Sequence, residues 1–292
     1  MTVIECQNVK KRYMGKNALE SITFQLEDKK ITGLIGRNGA GKTTLLKILA
    51  GFMKESSGEV KVFSNNPFNN LCVSENSILV DDQMSFPDTL KLTEILMMAP
   101  SFYPNWNAEL ATGLFEYFNL DAKQQHSKLS KGNQAMFNAI FGLATRCSLT
   151  MFDEPTNGMD EAVRTDFYRA LLKEYIAYPR SILISSHHLA EIEHLLEDIL
   201  LIHKGKVVFH QSLDEVKEYA VGIQGPTEKV EAYINQQEIL HTKQLNRELQ
   251  YTVVRKDSSM KYEGVTIQPV SASDVCMYVT SDTKGGIDDV FK

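Results

Sequence analysis

The spacing of apolar and polar positions changes several times along this chain, and each change marks an element. VIECQNV (residues 3–9), SITFQL (21–26) and KITGLIG (30–36) predict three short strands, the third running straight into a glycine-rich loop. TLLKILAG carries apolar residues at helical spacing and stops at Gly51, a fitting C-terminal glycine. SGEVKVF (57–63) predicts a strand, and SILV (77–80) a core strand ending at Asp81-Asp82-Gln83. From 86 to 128 strand signals vanish. TEILMMA and, after Asn107, AELATGLFEYFNL take over at helical spacing, punctuated by Pro87, Pro100 and Pro104, so a helical insertion is expected over about 84–145.

Strand-like runs return as SLTMF (148–152), SILIS (181–185) and ILLIH (199–203), separated by helical stretches such as DEAVRTDFYRALLKEYIA. This alternation predicts an α/β fold with a mostly parallel, doubly wound sheet. KGKVVF adds a Lys-Gly turn. After the helical SLDEVKEYA, Gly222, Gly225 and Pro226 predict a boundary. Beyond it TEKVEAYI reads as a helix, LQYTVV as a strand and SASDVCMYVT as a serine-capped helix, a small α+β appendage. The expected domains are 1–220 and 221–292, which suits 292 residues at roughly 150 per domain.

Composition removes several classes. With 43% hydrophobic and 23% charged residues, disorder, collagen and coiled coil are disfavoured. A net charge of −6 argues against broad nucleic-acid binding, and no nucleic-acid partner is expected. Cys6, Cys72, Cys147 and Cys276 lie far apart and form no C-x-x-C pair, so neither a zinc knuckle nor a disulfide framework is suggested. The opening MTVIECQNVKKRY has no apolar run before its charges and does not read as a secretory signal. The longest weakly charged apolar segment, 135–145, is well short of the ~20 residues a spanning helix needs. If the chain serves transport, another polypeptide must supply the channel.

GRNGAGKTT, residues 36–44, fits G-x-x-x-x-G-K-[ST] and sits between a predicted strand and helix. In such a P-loop the backbone N–H groups of Gly36, Asn38, Gly39, Ala40, Gly41, Lys42, Thr43 and Thr44 can curl around phosphate oxygens, at the positive end of the following helix. Lys42 is expected on the β- and γ-phosphates and Thr43 on Mg²⁺, so the implied ligands are ATP and Mg²⁺. SLTMFDE places Asp153 and Glu154 at the carboxyl end of a buried strand, where open α/β sheets bind ligands. Strand side chains alternate, so Asp153 can face Mg²⁺ while Glu154 faces the water that attacks the γ-phosphate.

With these motifs in order, the chain resembles the ATP-binding cassette (ABC) ATPases, and the layout of residues 221–292, ending in SASDVCMYVT, is similar to the appendage of bacterial drug and peptide exporter cassettes of the bacitracin-resistance and phenol-soluble-modulin type. LSKGN (129–133) is similar to the LSGGQ signature through Leu129, Ser130 and Gly132. The resemblance implies that Ser130 and Gly132 clasp the γ-phosphate of a nucleotide held by a second cassette. It likewise implies that Gln83 is the Q-loop residue reaching Mg²⁺ and the attacking water, and that Tyr13 stacks on adenine. Asn157-Gly158-Met159-Asp160 is then the D-loop and His187 the switch histidine. The signature departs from its commonest form at Lys131 and Asn133, and Ala135-Met136 replace the usual Gln-Arg pair.

The implied fold is a P-loop NTPase core with a helical insertion and a C-terminal appendage. The implied function is ATP hydrolysis at the cytoplasmic face of a membrane. A transmembrane permease and a second cassette, as homodimer or heterodimer, are the implied partners, and export of a peptide, drug or other amphipathic compound the implied task. The docking groove would involve Phe86, Leu96, Met97, Met98, Phe102, Tyr103 and Trp106. An importer cassette is the nearest alternative. A soluble translation or DNA-repair ATPase would add a second cassette or long coiled coils that the sequence lacks.

Overall fold

The computed structural model describes residues 1–234, 237–246, 248–256 and 264–281. The chain divides into two compact units: Met1–His187 with His194–His210, and His188–Glu193 with the residues from Gln211 onward.

In the first unit, β1 (Thr2–Tyr13) and β2 (Lys16–Glu27) pair antiparallel through a tight turn in which Met14 and Gly15 both have positive φ. Then come β3 (Ile31–Ile35), α1 (Lys42–Leu49) and β4 (Ser57–Val62), which pairs with β1 to complete a sheet ordered β2-β1-β4. A short α2 (Leu71–Asn76), capped by the Asn70 side chain, leads into β5 (Ser77–Val80). The expected insertion is helical: α3 (Leu92–Met98), α4 (Ala108–Tyr117) with Asn107 as its cap, and α5 (Lys131–Ala144) with Ser130 as its cap. Next are β6 (Leu149–Asp153), α6 (Glu161–Ala177) and β7 (Ser181–Ser186). A four-residue α7 (Leu189–Ile192) belongs to the second unit, after which β8 (Asp198–His203) and β9 (Lys206–Ser212) flank the Lys204-Gly205 turn.

The larger sheet is ordered β5-β6-β7-β3-β8-β9, and its first five strands run parallel. β3, β5 and β7 are buried along their whole length, as strands covered on both faces must be. Parallel direction puts the carboxyl ends of β3, β5, β6 and β7 on one edge, where the phosphate loop, Gln83, Asp153-Glu154 and His187 lie. Helix α1 touches β2 and β4 of the antiparallel sheet and β6 of the parallel one, burying Leu45, Leu46, Ile48 and Leu49 in a shared aliphatic core. Truncating any of these leucines would cost about 2–5 kcal/mol, so the loop at the head of α1 has a rigid mount.

The insertion has an aromatic centre. The Phe86 ring meets Phe141 at 5.0 Å, His126 at 5.1 Å and Phe137 at 5.5 Å, all edge-on, and Tyr103 and Trp106 also lie on Phe141. The buried Asn138 of α5 accepts from His126 Nε2 at 2.8 Å through its Oδ1, and its Nδ2 donates to the carbonyls of Asp81 and Met84 at 3.4 Å each. The segment carrying Gln83 is thereby tied to α5 on both sides.

The second unit adds α8 (Leu213–Lys217), with a Ser212/Glu215 capping box, then β10 (Ala220–Pro226), α9 (Thr227–Ile234), β11 (Ile239–Gln244), β12 (Leu249–Arg255), β13 (Thr266–Pro269) and the Ser271-capped α10 (Ala272–Val279). Its sheet is antiparallel, ordered β11-β12-β10-β13. Gly222, Gly225 and Pro226, expected as a boundary, instead form part of β10. Packing favours glycine there: a Cβ at Gly222 would lie 2.6 Å from the Tyr251 hydroxyl, and one at Gly225 2.8 Å from Val265, so either side chain would have to shift. Strands β11 and β13 had no clear alternation, and α8 packs on α10. Of the expected appendage, residues 282–292 lie outside the described residues. Among the described residues, no helix is long and apolar enough to cross a membrane. All four cysteines are free, and burial pushes the Cys6 and Cys276 thiols up to about 12.

Candidate nucleotide site

The phosphate loop begins where β3 ends. Gly39 and Gly41 take φ of 81° and 106°, and Gly41 is the N-cap of α1. A Cβ on Gly41 would lie 2.7 Å from the Ala18 carbonyl, and one on Gly36 would lie 2.4 Å from the Ile202 carbonyl. Both glycines therefore answer to close backbone approach as well as to turning.

Lys42 is 6% exposed, so its cation needs partners inside the protein. It donates to the Gly36 carbonyl at 2.7 Å and pairs with Glu154 Oε1 at 3.1 Å. The other oxygen of Glu154 lies 3.1 Å from His187 Nδ1. The side chains of Lys42, Glu154 and His187 thus form a continuous chain across the ends of β3, β6 and β7. Glu154 sits at φ 48°, a left-handed conformation that costs a non-glycine residue about 1–2 kcal/mol. Its neighbour Asp153 accepts from the Thr43 hydroxyl at 2.6 Å and from the Ser185 hydroxyl at 2.5 Å.

A cleft of about 610 Å³ is lined by Asn38, Gly39, Ala40, Gly41, Lys42, Thr43, Thr44, Gln83, Asp153 and Glu154, together with Ala18, Asp82 and Asn157. Gln83 lines it but is held at the rim, its Oε1 accepting from Lys47 Nζ at 2.7 Å. Lys47 also faces Asp81 at 3.8 Å, and burial raises the Asp81 carboxyl above its usual range against that attraction.

The other expected residues lie apart from this cleft. Tyr13 ends β1, half exposed, with its hydroxyl 2.7 Å from Met53 Sδ. Ser130 caps α5 at an exposed position, accepting from Asn133 N–H. Asp160 caps α6, accepting from Val163 N–H at 2.9 Å. Gly132 lies against the D-loop, where an added Cβ would be 2.6 Å from the Gly158 carbonyl.

The sequence reading missed two residues here. Lys47 is one helical turn beyond Thr43, so i, i+4 spacing puts it on the same face of α1, but its reach to Gln83 depends on the fold. Ser185 gives no such signal: in SILISS it reads as one more buried strand position. A second cleft, about 680 Å³, is lined by Lys47, Phe52, Met53, Gln83, Met84 and Tyr103 among others. Phe52, Met97, Met98 and Phe102 are exposed.

The family model for ABC transporters matches residues 19–157, which run from within β2 to the residue after Thr156. An uncharacterised ABC transporter ATP-binding protein of Methanocaldococcus jannaschii is 30% identical over 218 residues, 73% of this chain and 79% of that one. The bacitracin transport ATP-binding protein BcrA of Bacillus licheniformis is 28% identical over 74% of this chain and 72% of its own. Among solved structures, a dimeric bacterial ABC transporter cassette, MJ0796, superposes with a TM-score of 0.63 at 21% identity, covering 72% of this chain and 98% of that one. Identity of 30% over 73% of this chain and 79% of its relative, with a family model that spans the phosphate loop and both carboxylates, means that the chain belongs to the ATP-binding cassette ATPases, the ATP-hydrolysing subunits of ABC transporters.

Proposed function

We propose that this chain binds MgATP in the 610 Å³ cleft and closes head to tail on a second cassette. Each phosphate loop would then face its partner's Ser130 and Gly132. The observation that carries the reading is the Lys42–Glu154–His187 chain, set beside the Thr43–Asp153 hydrogen bond in one cleft.

Lys42 is the first residue to respond. An arriving triphosphate competes with Glu154 for its ammonium, and once Lys42 turns to the phosphates Glu154 loses its cation and becomes free to act as general base. Glu154 then takes the proton of the attacking water, with His187 on the far side of the same carboxylate positioned for the γ-phosphate. The backbone amides of residues 38–44 supply fixed donors to the developing charge. Thr43, Asp153 and Gln83 offer only oxygen donors, the set that suits Mg²⁺ shared with substrate phosphates. When bound there, Mg²⁺ neutralises charge on the phosphate oxygens. Tyr13 supplies an aromatic face for adenine, and Asp160 belongs to the loop that meets the second cassette.

Ser130 and Gly132 do not line this chain's own cleft, which supports their use in trans. The second cleft, with Phe52, Met53, Met84 and Tyr103, suits the cytosolic end of a transmembrane partner, because methionine and aromatic side chains adapt to a moving contact. A partner of that kind would hold the chain at the cytoplasmic face of a membrane. Similarity to a bacitracin transport protein, and the SKG form of the signature, favour export of a peptide, drug or other amphipathic compound. Residues 1–220 act as the nucleotide-binding domain and 221–292 as an accessory domain in pairing or regulation.

The test is Glu154→Gln. ATP turnover should fall at least 100-fold while an ATP-bound dimer accumulates on size exclusion; retained turnover rejects the general-base assignment.

A further inference from the structure

Ser185 lies in the middle of the parallel sheet, fully buried, directly after the buried apolar run Ile182, Leu183 and Ile184. A hydroxyl placed there must find partners or destabilise the fold. It finds two, and both belong to the catalytic carboxylate pair. Its proton goes to Asp153 Oδ1 at 2.5 Å, and its oxygen accepts the backbone N–H of Glu154 at 3.0 Å.

The register explains why this matters. Asp153 and Ser185 are the last partners of the β6–β7 ladder, so the next amide, that of Glu154, has no ladder carbonyl to meet. The Ser185 side chain replaces that carbonyl. It holds the amide at the point where the backbone turns into the left-handed region, and this turn directs Glu154 toward Lys42 and His187. At the same time, Ser185 and Thr43 hold opposite oxygens of Asp153. The rotation of Asp153 is therefore set from both sides.

We infer that Ser185 is a positioning residue for hydrolysis, orienting the Mg²⁺-facing carboxylate through its side chain and the general base through its backbone. This rests on the proposed roles of Asp153 and Glu154. A hydroxyl is the required feature, and the volume of the side chain is secondary.

The pair that isolates it is Ser185→Thr and Ser185→Val, equal in shape and differing only in the hydroxyl. Full-length chains of both, with wild type and Glu154→Gln, are compared for thermal midpoint, kcat and KM for ATP, and half-saturating Mg²⁺ in turnover. ATP affinity is also measured by calorimetry with Mg²⁺ and with EDTA. Ser185→Thr should stay within threefold of wild type throughout. Ser185→Val should lose 10-fold or more in kcat with KM changed less than threefold. It should also need at least fivefold more Mg²⁺, and the gain in ATP affinity from Mg²⁺ should shrink by a similar factor, while its affinity in EDTA stays unchanged.

If the folded Ser185→Val matches Ser185→Thr in kcat and Mg²⁺ dependence while Glu154→Gln is inactive, the inference about Ser185 is overturned and the site reading stands. If Glu154→Gln itself turns over, the site reading fails first. A drop in thermal midpoint alone, with kinetics and Mg²⁺ dependence intact, makes Ser185 a structural residue and overturns the inference as well.

Discussion

Glu174 offers a measurement of how the site is supported from behind. It is a buried carboxylate on α6 between two arginines. Arg146, which follows α5, grips it with two bonds of 2.6 and 3.3 Å and also covers the Tyr178 ring at 4.6 Å. Arg180, only 3% exposed, lies 3.8 Å from the same carboxylate and donates to the Leu143 and Tyr178 carbonyls and to Thr150 Oγ1. Burial presses the Arg180 guanidinium below the usual arginine range, and Glu174 opposes that. The Glu174→Ala change would leave Arg180 buried without its counter-charge, a class of change that costs about 3–5 kcal/mol. Three hydrogen bonds remain to Arg180, so the low end, about 3 kcal/mol, is expected. For a unit of about 200 residues that is a fall of roughly 6–12 °C in Tm. Arg146 is a quarter exposed, and Arg146→Met leaves Glu174 still paired with Arg180, so its cost should be smaller, about 1–2 kcal/mol. Urea titrations of the three proteins decide it. A Glu174→Ala protein within 1 kcal/mol of wild type, or one more stable than Arg146→Met, refutes the reasoning.

Two further outcomes are expected. Burial lowers the pKa of His126, so protonation favours the unfolded chain: its contribution to stability is complete above about pH 6.5 and declines as pH falls below that value toward its folded pKa. Urea midpoints at pH 7.5 and 5.5 should show this decline, and His126→Gln should flatten it; an unchanged slope would remove His126 from the account. Gly132→Ala puts a methyl where the Gly158 carbonyl lies 2.6 Å away. It should reduce turnover about 10-fold or more while ATP affinity of the single chain, measured by calorimetry, stays within twofold, since Gly132 does not line that chain's own cleft.

How far the sequence was legible depended on whether a residue's job was local. Gly39, Gly41, Lys42 and Thr43 announce themselves because a turn, a cation and a helix start must be adjacent in the chain to hold phosphate. Asp153 and Glu154 are equally plain, since a run of four buried strand residues, three of them apolar, ending in two carboxylates has few other uses. Ser185 and Lys47 act through neighbours brought close by strand pairing and by the turn of α1, and their identities alone point nowhere. The second unit shows the opposite failure. Gly222 and Gly225 read as punctuation, yet they are strand residues whose missing Cβ atoms make room for Tyr251 and Val265, and only the pairing of β10 with β12 and β13 discloses that.

The aromatic cluster around Phe86 makes a lever of α5. Since Phe86 is wedged among the rings of Phe137 and Phe141 while Asn138 holds the backbone just upstream, a shove near Gln83 from the proposed membrane-borne subunit would be carried into α5. On the proposed head-to-tail pairing that rod would move as one piece, and its far tip is Ser130. One push on this chain would then be felt at the fuel bound to its twin, without any message passing through the phosphate loop between them.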